Sequence, residues 1–239
     1  LDWLIEVVET RGGADRLNPV ALVTGGHLAP EGTLEELSGY RGSTPVRINN
    51  AADAQVQLDV FGPIVDLICL LAKNGEPLST RHWNLVNGLV DGVSKRWQEE
   101  DAGIWEFRSL PRHYTFTKLM CWVAVDRAIY LSDHFTGEVP PEWLLLRDEI
   151  ASALNNFCFK KERNSFTSAY NGTDIDASTL AIGLWGFCDM NDPRFIGTIK
   201  AVEEELLKNN TVYRYFGIDD GLEGTEGGWN MLTLWLVEC

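Results

Sequence analysis

Basic residues are scarce in this chain. Its 239 residues include 20 Lys and Arg against 35 Asp and Glu, which gives a formal net charge of −15 at pH 7. Nucleic acids and anionic membranes are bound through positively charged patches. We therefore expect neither as a partner, and the charge suits a neutral or cationic ligand instead.

Long apolar runs are also missing. No stretch approaches the 18 or so consecutive apolar residues that a membrane-spanning helix needs, so the sequence predicts no span. Hydrophobic residues nevertheless make up 45% of the chain and charged residues 23%, which is the balance of a globular protein. The length suits one domain, or one and a half.

The cysteines form no cluster, and the common short catalytic motifs are absent. No CxxC pair or His/Cys group occurs, so we expect no metal site and no cofactor. Five scattered cysteines on mostly apolar segments predict reduced thiols in a reducing, cytoplasmic compartment. The sequence also lacks GxGxxG, GxxxxGK[ST], HExxH and GxSxG, the usual signatures of dinucleotide, phosphate, zinc and activated-serine sites.

Helical periodicity fills most of the chain. Nearly continuous apolar segments, which predict buried helices, alternate with amphipathic segments that predict half-solvated ones. This alternation, with long loops after the amphipathic segments, is typical of concentric helical hairpins and predicts an all-α fold with almost no strand. The predicted helices cover 1–10, 54–74, 80–97, 116–135, 141–157, 178–187, 193–207 and 228–239, with a small hairpin over 159–170.

Both ends of the chain fall inside helical patterns. Apolar spacing starts directly at Leu1, and the apolar segment that ends at Cys239 has no closing glycine. We therefore expect residues 1–239 to be part of a larger domain.

One loop joins acids to aromatic residues, in the sequence EEDAGIWE at 99–106. A carboxylate at Glu106, between Trp105 and Phe107, would be partly desolvated. Desolvation raises the pKa of a carboxylic acid, which suits a general acid, and a neighbouring Trp can stack on a sugar. The alternative is an acidic loop that ends a helix and is anchored by one Trp.

A second loop, DDGLEGTEGGW at 219–229, surrounds Glu223 and Glu226 with glycines. Glycine lets the backbone approach a ligand closely, and a solvated carboxylate there could act as a base. A flexible surface turn is the alternative. A calcium loop is disfavoured because the EF-hand spacing is absent. Two carboxylates in different environments are what a glycosidase needs.

Longer motifs resemble glycoside hydrolase family 15, the glucoamylase-like enzymes that include bacterial and archaeal trehalases. The similarity runs nearly end to end and in the order of the family. The matching motifs are GYRGSTPVRINNAA at 39–52, QLDVFG at 57–62, DAGIWEFR at 101–108, PRHYTFTKLMCW at 111–122, VDRAI at 125–129, DIDAS at 174–178 and DGLEGTEGGW at 220–229.

The resemblance implies a six-hairpin (α/α)6 barrel, incomplete in this chain, as a partial catalytic domain over 1–239. It implies an inverting exo-α-glucosidase of glucoamylase type, with trehalase as the alternative and a non-catalytic, truncated carbohydrate-binding barrel as a further one. Glu106 would be the general acid and Glu226 the general base. Trp105 would stack on the sugar, and Arg47, His113 and Lys118 would be pocket residues; for His113 and Lys118 a structural pairing remains an alternative.

The chain departs from the family pattern in places. Asn49 stands where family members commonly have Gly, and Pro63 where they often have Glu. The N-terminal Trp-x-Arg-Asp segment, which grips the terminal glucose in the family, has no counterpart here, nor do the β-sandwich and first barrel helices or the last barrel helix. About eight of the twelve barrel helices are expected.

Overall fold

The computed structural model describes residues 1–109, 111–221 and 226–239. Within these residues the chain is mostly helical. Its strands are short and form two sheets of two strands and one sheet of three strands. The helices are α1 Asp2–Thr10, α2 Phe61–Lys73, α3 Thr80–Arg96, α4 Thr115–Thr136, α5 Pro141–Ala153, α6 Ala181–Leu184, α7 Pro193–Leu206 and α8 Asn230–Glu238. The strands are β1 Gly32–Thr33, β2 Arg47–Ile48, β3 Phe159–Lys160, β4 Ser165–Phe166, β5 Leu207–Lys208, β6 Thr211–Tyr213 and β7 Gly228–Trp229.

Helix α4 lies at the centre of the main core. It packs against α2, α3 and α5, and most of its first three turns is buried on every side. Its contact with α2 is close because of Gly62: a Cβ there would lie 2.7 Å from the carbonyl oxygen of Met120. The predicted buried helix over 116–135 is confirmed, and a glycine determines how near its partner can approach.

Local sequence signals explain where several helices begin. Pro141 occupies the first turn of α5, as predicted, because proline needs no hydrogen-bond acceptor there. The predicted helix 54–74 begins only at Phe61, two residues before Pro63, and tight 3-10 turns precede it. The side chain of Asn50 caps the first of these turns by accepting from the N–H of Ala52.

Two predictions differ from the observed fold. The helix expected over 178–187 is a 3-10 turn followed by the single-turn helix α6, which ends before Gly186 at a φ of 77°. The expectation of almost no strand missed two small antiparallel sheets, β1–β2 and β5–β6–β7, whereas β3–β4 confirms the small hairpin predicted over 159–170. Each strand has two or three residues, which is too short for an alternating pattern to be visible in the sequence.

A second, smaller core lies beside the main one. It joins the 101–114 loop to α7, α8 and β6 through buried side chains that include Trp105, Phe107 and Tyr215. Strand β7 pairs with β6 next to it, so the end of the 219–229 loop is anchored in the same region.

Some apolar side chains lie on the surface. Leu67 and Leu70 of α2 are 46% and 49% exposed, so the predicted burial of this helix on several sides does not hold for that face. Leu234 and Val237 of α8 are 66% and 78% exposed. In the described part of the chain, no helix combines the length and apolar character needed to cross a membrane.

Candidate active site

The backbone of Glu106 adopts a left-handed conformation, with φ of 57°. This region is unfavourable for residues other than Gly, Asn and Asp, and such strain is commonly found at functional sites. The turn is closed by hydrogen bonds from the N–H of Glu106 to the carbonyl of Gly103 (3.1 Å) and from that of Phe107 to Ala102 (3.0 Å). The candidate acid therefore lies on a tight, well-bonded turn.

Side chains of the loop itself and of the segment before α2 hold this turn in place. Asp101 accepts from the N–H of Leu58 (3.1 Å) and from the hydroxyl of Thr117 (3.0 and 2.9 Å). The side chain of Gln55 donates to the carbonyls of Glu106 and Phe107, at 3.2 Å each. The loop is thus attached to the segment before α2 and to α4 itself, which makes the position of Glu106 dependent on the main core.

The side chain of Glu106 is half-buried. Its Oε2 accepts from Nδ2 of Asn50 at 3.1 Å. The neighbouring Trp105 and Phe107 are both buried in the second core, so alternate residues of the turn face in different directions. Asn50 is a contact that the sequence analysis did not single out, although it stands in the quoted PVRINN motif.

Trp105 is only 8% exposed. Its indole Nε1 donates to Oδ2 of Asp176 at 2.8 Å, and its ring meets that of Trp229 edge to face with 5.7 Å between centroids. Trp229 is 40% exposed and is the more accessible indole of the pair. Stacking of Trp105 on a sugar stays a prediction.

Glu226 is paired with Arg214. Nε of Arg214 donates to Oε2 at 2.8 Å, and its Nη2 donates to Oε1. The carboxylate is about 20% exposed, so it is less solvated than the glycine-rich sequence suggested, because a cation from the end of β6 covers it. Glu223, the other carboxylate of this loop, lies outside the described residues.

The acid-bearing and base-bearing loops meet. The N–H of Arg108, two residues after Glu106, donates to the carbonyl of Asp220 at 2.9 Å. The Trp105–Trp229 contact joins the two loops a second time. The two loops are therefore in contact, although Glu106 and Glu226 are 120 positions apart in the sequence.

Arg47 lies at the edge of this region in a charged triad. Glu31 accepts from Arg47 at 2.6 Å and from both terminal nitrogens of Arg108, at 2.8 and 2.6 Å. These hydrogen bonds, the ones from Arg108 first, lower the pKa of Glu31 to about 2. Arg47 is exposed and reaches the acid loop only through Glu31.

Lys118 and His113 have different surroundings. Lys118 is fully buried, and its ammonium donates to the carbonyls of Trp97 (2.6 Å) and Glu99 (2.5 Å), so contact with a sugar would require it to leave both. Burial lowers its pKa. His113 stacks on Tyr170 at 4.8 Å. Its Nδ1 is buried and has no hydrogen-bond partner among the described residues, and burial lowers its pKa.

Three buried carboxyl groups lie around the site. Burial raises the pKa of Asp59 to about 7, with a further contribution from the charge of Asp101, and one oxygen of Asp59 is buried without a hydrogen-bond partner. Burial likewise raises the pKa of Asp101 and of Asp176 to about 6. Raised pKa values favour the protonated, neutral form of each group, so these carboxyl groups carry less negative charge near neutral pH than free Asp side chains would.

An open cavity of about 650 Å³ lies beside the contact between the loops. Two arginines, a tyrosine and two carboxylates give it a polar lining. Its lining residues are Arg108, Ser109, Arg112, Tyr114, Asp174, Gly217, Ile218 and Asp219. Among the residues that the structure describes, no group of three or more His, Cys, Asp or Glu is arranged to hold a metal ion.

Three contacts at the site escaped the sequence analysis: Asn50, Asp176 and Arg214. The first two stand in motifs that were recognised as blocks, but only the fold shows which atom each one contacts. Arg214 lies just before the DGLEGTEGGW motif and belongs to none of the quoted blocks. Asn49, by contrast, has φ of 60°, a backbone conformation that glycine adopts without strain.

Known proteins share this sequence and this fold. Residues 25–239 match the family described as Glycosyl hydrolases family 15. The chain is 38% identical over 204 residues to a trehalase of Thermoplasma acidophilum, covering 85% of this chain and 35% of that protein. It is 38% identical over 213 residues to a trehalase of Mycobacterium tuberculosis, covering 87% and 31%. For Trehalase 1 of Sulfolobus acidocaldarius the identity is 36% over 223 residues, covering 92% and 38%.

Among solved structures, a glycosidase variant in complex with glucose superposes with a TM-score of 0.72 at 18% identity, covering 98% of this chain and 61% of that one. The wild-type glycosidase gives a TM-score of 0.70 at 19% identity, with the same coverage. The chain thus spans about a third of the length of the curated relatives named here.

Proposed function

Because this chain belongs to glycosyl hydrolase family 15, we propose that it supplies the acid and the base of an inverting α-glucoside hydrolase whose substrate is trehalose. The observation that carries the proposal is the contact between the Glu106 loop and the Glu226 loop, through Arg108 and Asp220 and through Trp105 and Trp229. In this proposal the helices of residues 1–239 form part of an (α/α)6 barrel.

Trehalose takes precedence over glucans because the curated relatives are trehalases. The motifs alone favoured glucoamylase-type activity, since both activities occur among sequences with these motifs. The polar cavity beside the two loops is lined by neither Glu106 nor Glu226, so it does not distinguish the two substrates. The five free cysteines support a reducing, cytoplasmic compartment.

In the proposed mechanism Glu106 gives its proton to the glycosidic oxygen as the C1–O bond breaks. Glu226 takes a proton from a water molecule that attacks C1 from the opposite face of the ring. An inverting reaction needs room for this water, with roughly 6.5–9.5 Å between the two carboxyl groups. One α,α-trehalose then gives one β-glucose, from the attacked ring, and one α-glucose, from the leaving group.

The configuration of the products tests the inverting mechanism directly. We expect proton NMR of the intact protein with trehalose to show α- and β-glucose in equal amounts in the first minutes, before the sugars equilibrate. Glucose released only as the α-anomer would mean retention and would rule the mechanism out. Parallel assays on maltose and starch distinguish trehalase from glucoamylase.

Two substitutions separate the roles of acid and base. Glu106→Gln should abolish hydrolysis of trehalose but leave part of the activity on α-glucosyl fluoride, which needs little protonation. Glu226→Gln should lower both activities, because each needs an activated water. General acid–base catalysis is worth about 10²–10⁴-fold, so the losses should be at least of that order. If Glu106→Gln kept its activity on trehalose, the acid would be another residue.

A further inference from the structure

Arg214 binds both oxygens of the candidate base with one planar group. Its Nε and Nη2 donate to the two oxygens of Glu226, the side-by-side arrangement that a guanidinium makes with a carboxylate. A carboxylate has about four acceptor positions, so two remain available for a water molecule. The pairing therefore fixes the plane of the carboxylate without using up its capacity to accept a proton.

Three aromatic rings surround the guanidinium. Its central carbon lies 5.6 Å from the ring centroid of Trp105, 5.2 Å from that of Trp229 and 5.0 Å from that of Tyr215. Cations over aromatic faces at these distances are attracted to the ring, and more strongly when shielded from water. The side chain of Arg214 is only about 16% exposed, so the group is held in one place.

The surroundings of Arg214 include the loop of the candidate acid. Trp105 immediately precedes Glu106, and its indole is bound to Asp176. The carbonyl of Arg214 itself accepts from the N–H of Ala177 at 2.9 Å, so its backbone is anchored next to Asp176, the residue that holds the Trp105 indole. Asp220 is a second, more distant carboxylate, at 3.8 Å.

We propose that Arg214 is the positioning residue of the base: it orients the Glu226 carboxylate and sets its distance from Glu106 by packing against the Trp105 and Trp229 rings. This inference rests on the proposed function. It assigns Arg214 no direct contact with the reacting atoms, so its removal should affect the chemical step more than the binding of substrate.

The test measures kcat and KM on trehalose for Arg214→Ala and Arg214→Lys. A displacement of about 1 Å in a catalytic group can cost on the order of 10²-fold. We expect kcat of Arg214→Ala to fall by about that factor while KM changes less than threefold. Lysine keeps the charge but not the two-pronged geometry, so Arg214→Lys should recover only a small part of kcat.

Guanidinium ions distinguish a positioning role from a structural one. Millimolar guanidinium chloride should restore part of kcat in Arg214→Ala by filling the space that the side chain leaves beside the rings and Glu226, whereas sodium chloride at the same concentration should not. It should not restore Glu226→Gln. Arg163→Ala is the matched control, since Arg163 pairs with Glu205 on the surface, and its kcat should stay at the wild-type value.

The outcomes separate this inference from the proposed function. A kcat of Arg214→Ala within threefold of wild type, or a loss confined to KM, would overturn the role of Arg214 while Glu106→Gln and Glu226→Gln remain inactive. Full activity of those two variants would instead overturn the proposed function. If Arg214→Ala does not fold by circular dichroism, Arg214→Lys decides, because wild-type kcat in that variant contradicts the inference.

Discussion

At the residue scale, each candidate catalytic carboxylate is held by a side chain of different charge. Glu106 accepts from the neutral amide of Asn50, 56 residues earlier, whereas Glu226 is gripped by the cation of Arg214, 12 residues earlier. An amide can bond to a carboxyl group in either protonation state, while a guanidinium only donates. The partners thus suit the proposed roles. Glu106, the acid, must lose and regain a proton, whereas Glu226, the base, begins as a carboxylate that accepts one.

The buried carboxyl group of Asp59 should make stability depend on pH. Its pKa is about 7 in the folded chain against 3.8 for the free side chain, so between about pH 4 and pH 7 the folded chain holds a proton that the unfolded chain has lost. The free energy of unfolding therefore falls as pH rises through this window. Asp59→Asn removes the cost of ionising this buried group, so the variant should be more stable than wild type at pH 8.

A difference of one pKa unit between the folded and unfolded chains corresponds to about 1.4 kcal/mol. The free energy of unfolding of Asp59→Asn should therefore exceed that of wild type by about 2–4 kcal/mol at pH 8, and the difference should vanish near pH 4. Urea unfolding at a series of pH values measures it. A difference between variant and wild type that is the same at pH 4.5 and pH 8 would show that ionisation of Asp59 is not its cause.

At the element scale, the crossing of α2 and α4 depends on a missing side chain. Gly62 lets the two helices approach closely. The turn with Glu106 is hydrogen-bonded to the segment before α2 through Gln55 and to α4 through Asp101. The geometry of the candidate site is therefore linked to how closely these two helices pack.

Gly62→Ala should destabilise the protein. The new methyl group would lie 2.7 Å from a backbone carbonyl that cannot move without shifting α4, and such overpacking costs about 1–3 kcal/mol. Gly88→Ala in α3 is the matched control, because its methyl group would meet only the side chain of Ala14 at 3.4 Å. We expect the control to gain up to about 1 kcal/mol of stability from helix propensity. In thermal melts, Gly62→Ala should therefore lower the melting temperature and Gly88→Ala should raise it.

At the scale of the whole molecule, local sequence signals predicted where helices begin, whereas the contacts between distant segments could be seen only in the folded structure. Pro141 indicated the start of α5 because proline suits a first turn. The loop that joins acids to aromatic residues indicated Glu106. The partners Asn50 and Arg214 could not be assigned, since hydrogen bonds between distant segments leave no periodicity in the sequence. Nor could the shortness of α6, which depends on tertiary packing rather than on its own apolar spacing.

The surface of the 239-residue chain predicts self-association. Leu234 and Val237 lie exposed on α8, with Leu67 and Leu70 on α2, and exposed apolar groups of this kind favour aggregation. We expect the isolated chain to show a molecular mass that rises with concentration in light scattering. Leu234→Glu with Val237→Glu should reduce it, whereas Glu203→Gln on α7, at an already polar position, should not. A concentration-independent monomer would contradict this prediction.

The left-handed backbone at Glu106 implies a conflict between activity and folding. A glutamate pays about 1–2 kcal/mol for this conformation, while glycine adopts it freely. Glu106→Gly should therefore be an inactivating substitution that raises the melting temperature, unlike Glu76→Gly, where φ is negative and added flexibility should lower it. Selection for thermostability alone would then remove the acid, so laboratory evolution of this protein must score turnover together with heat resistance.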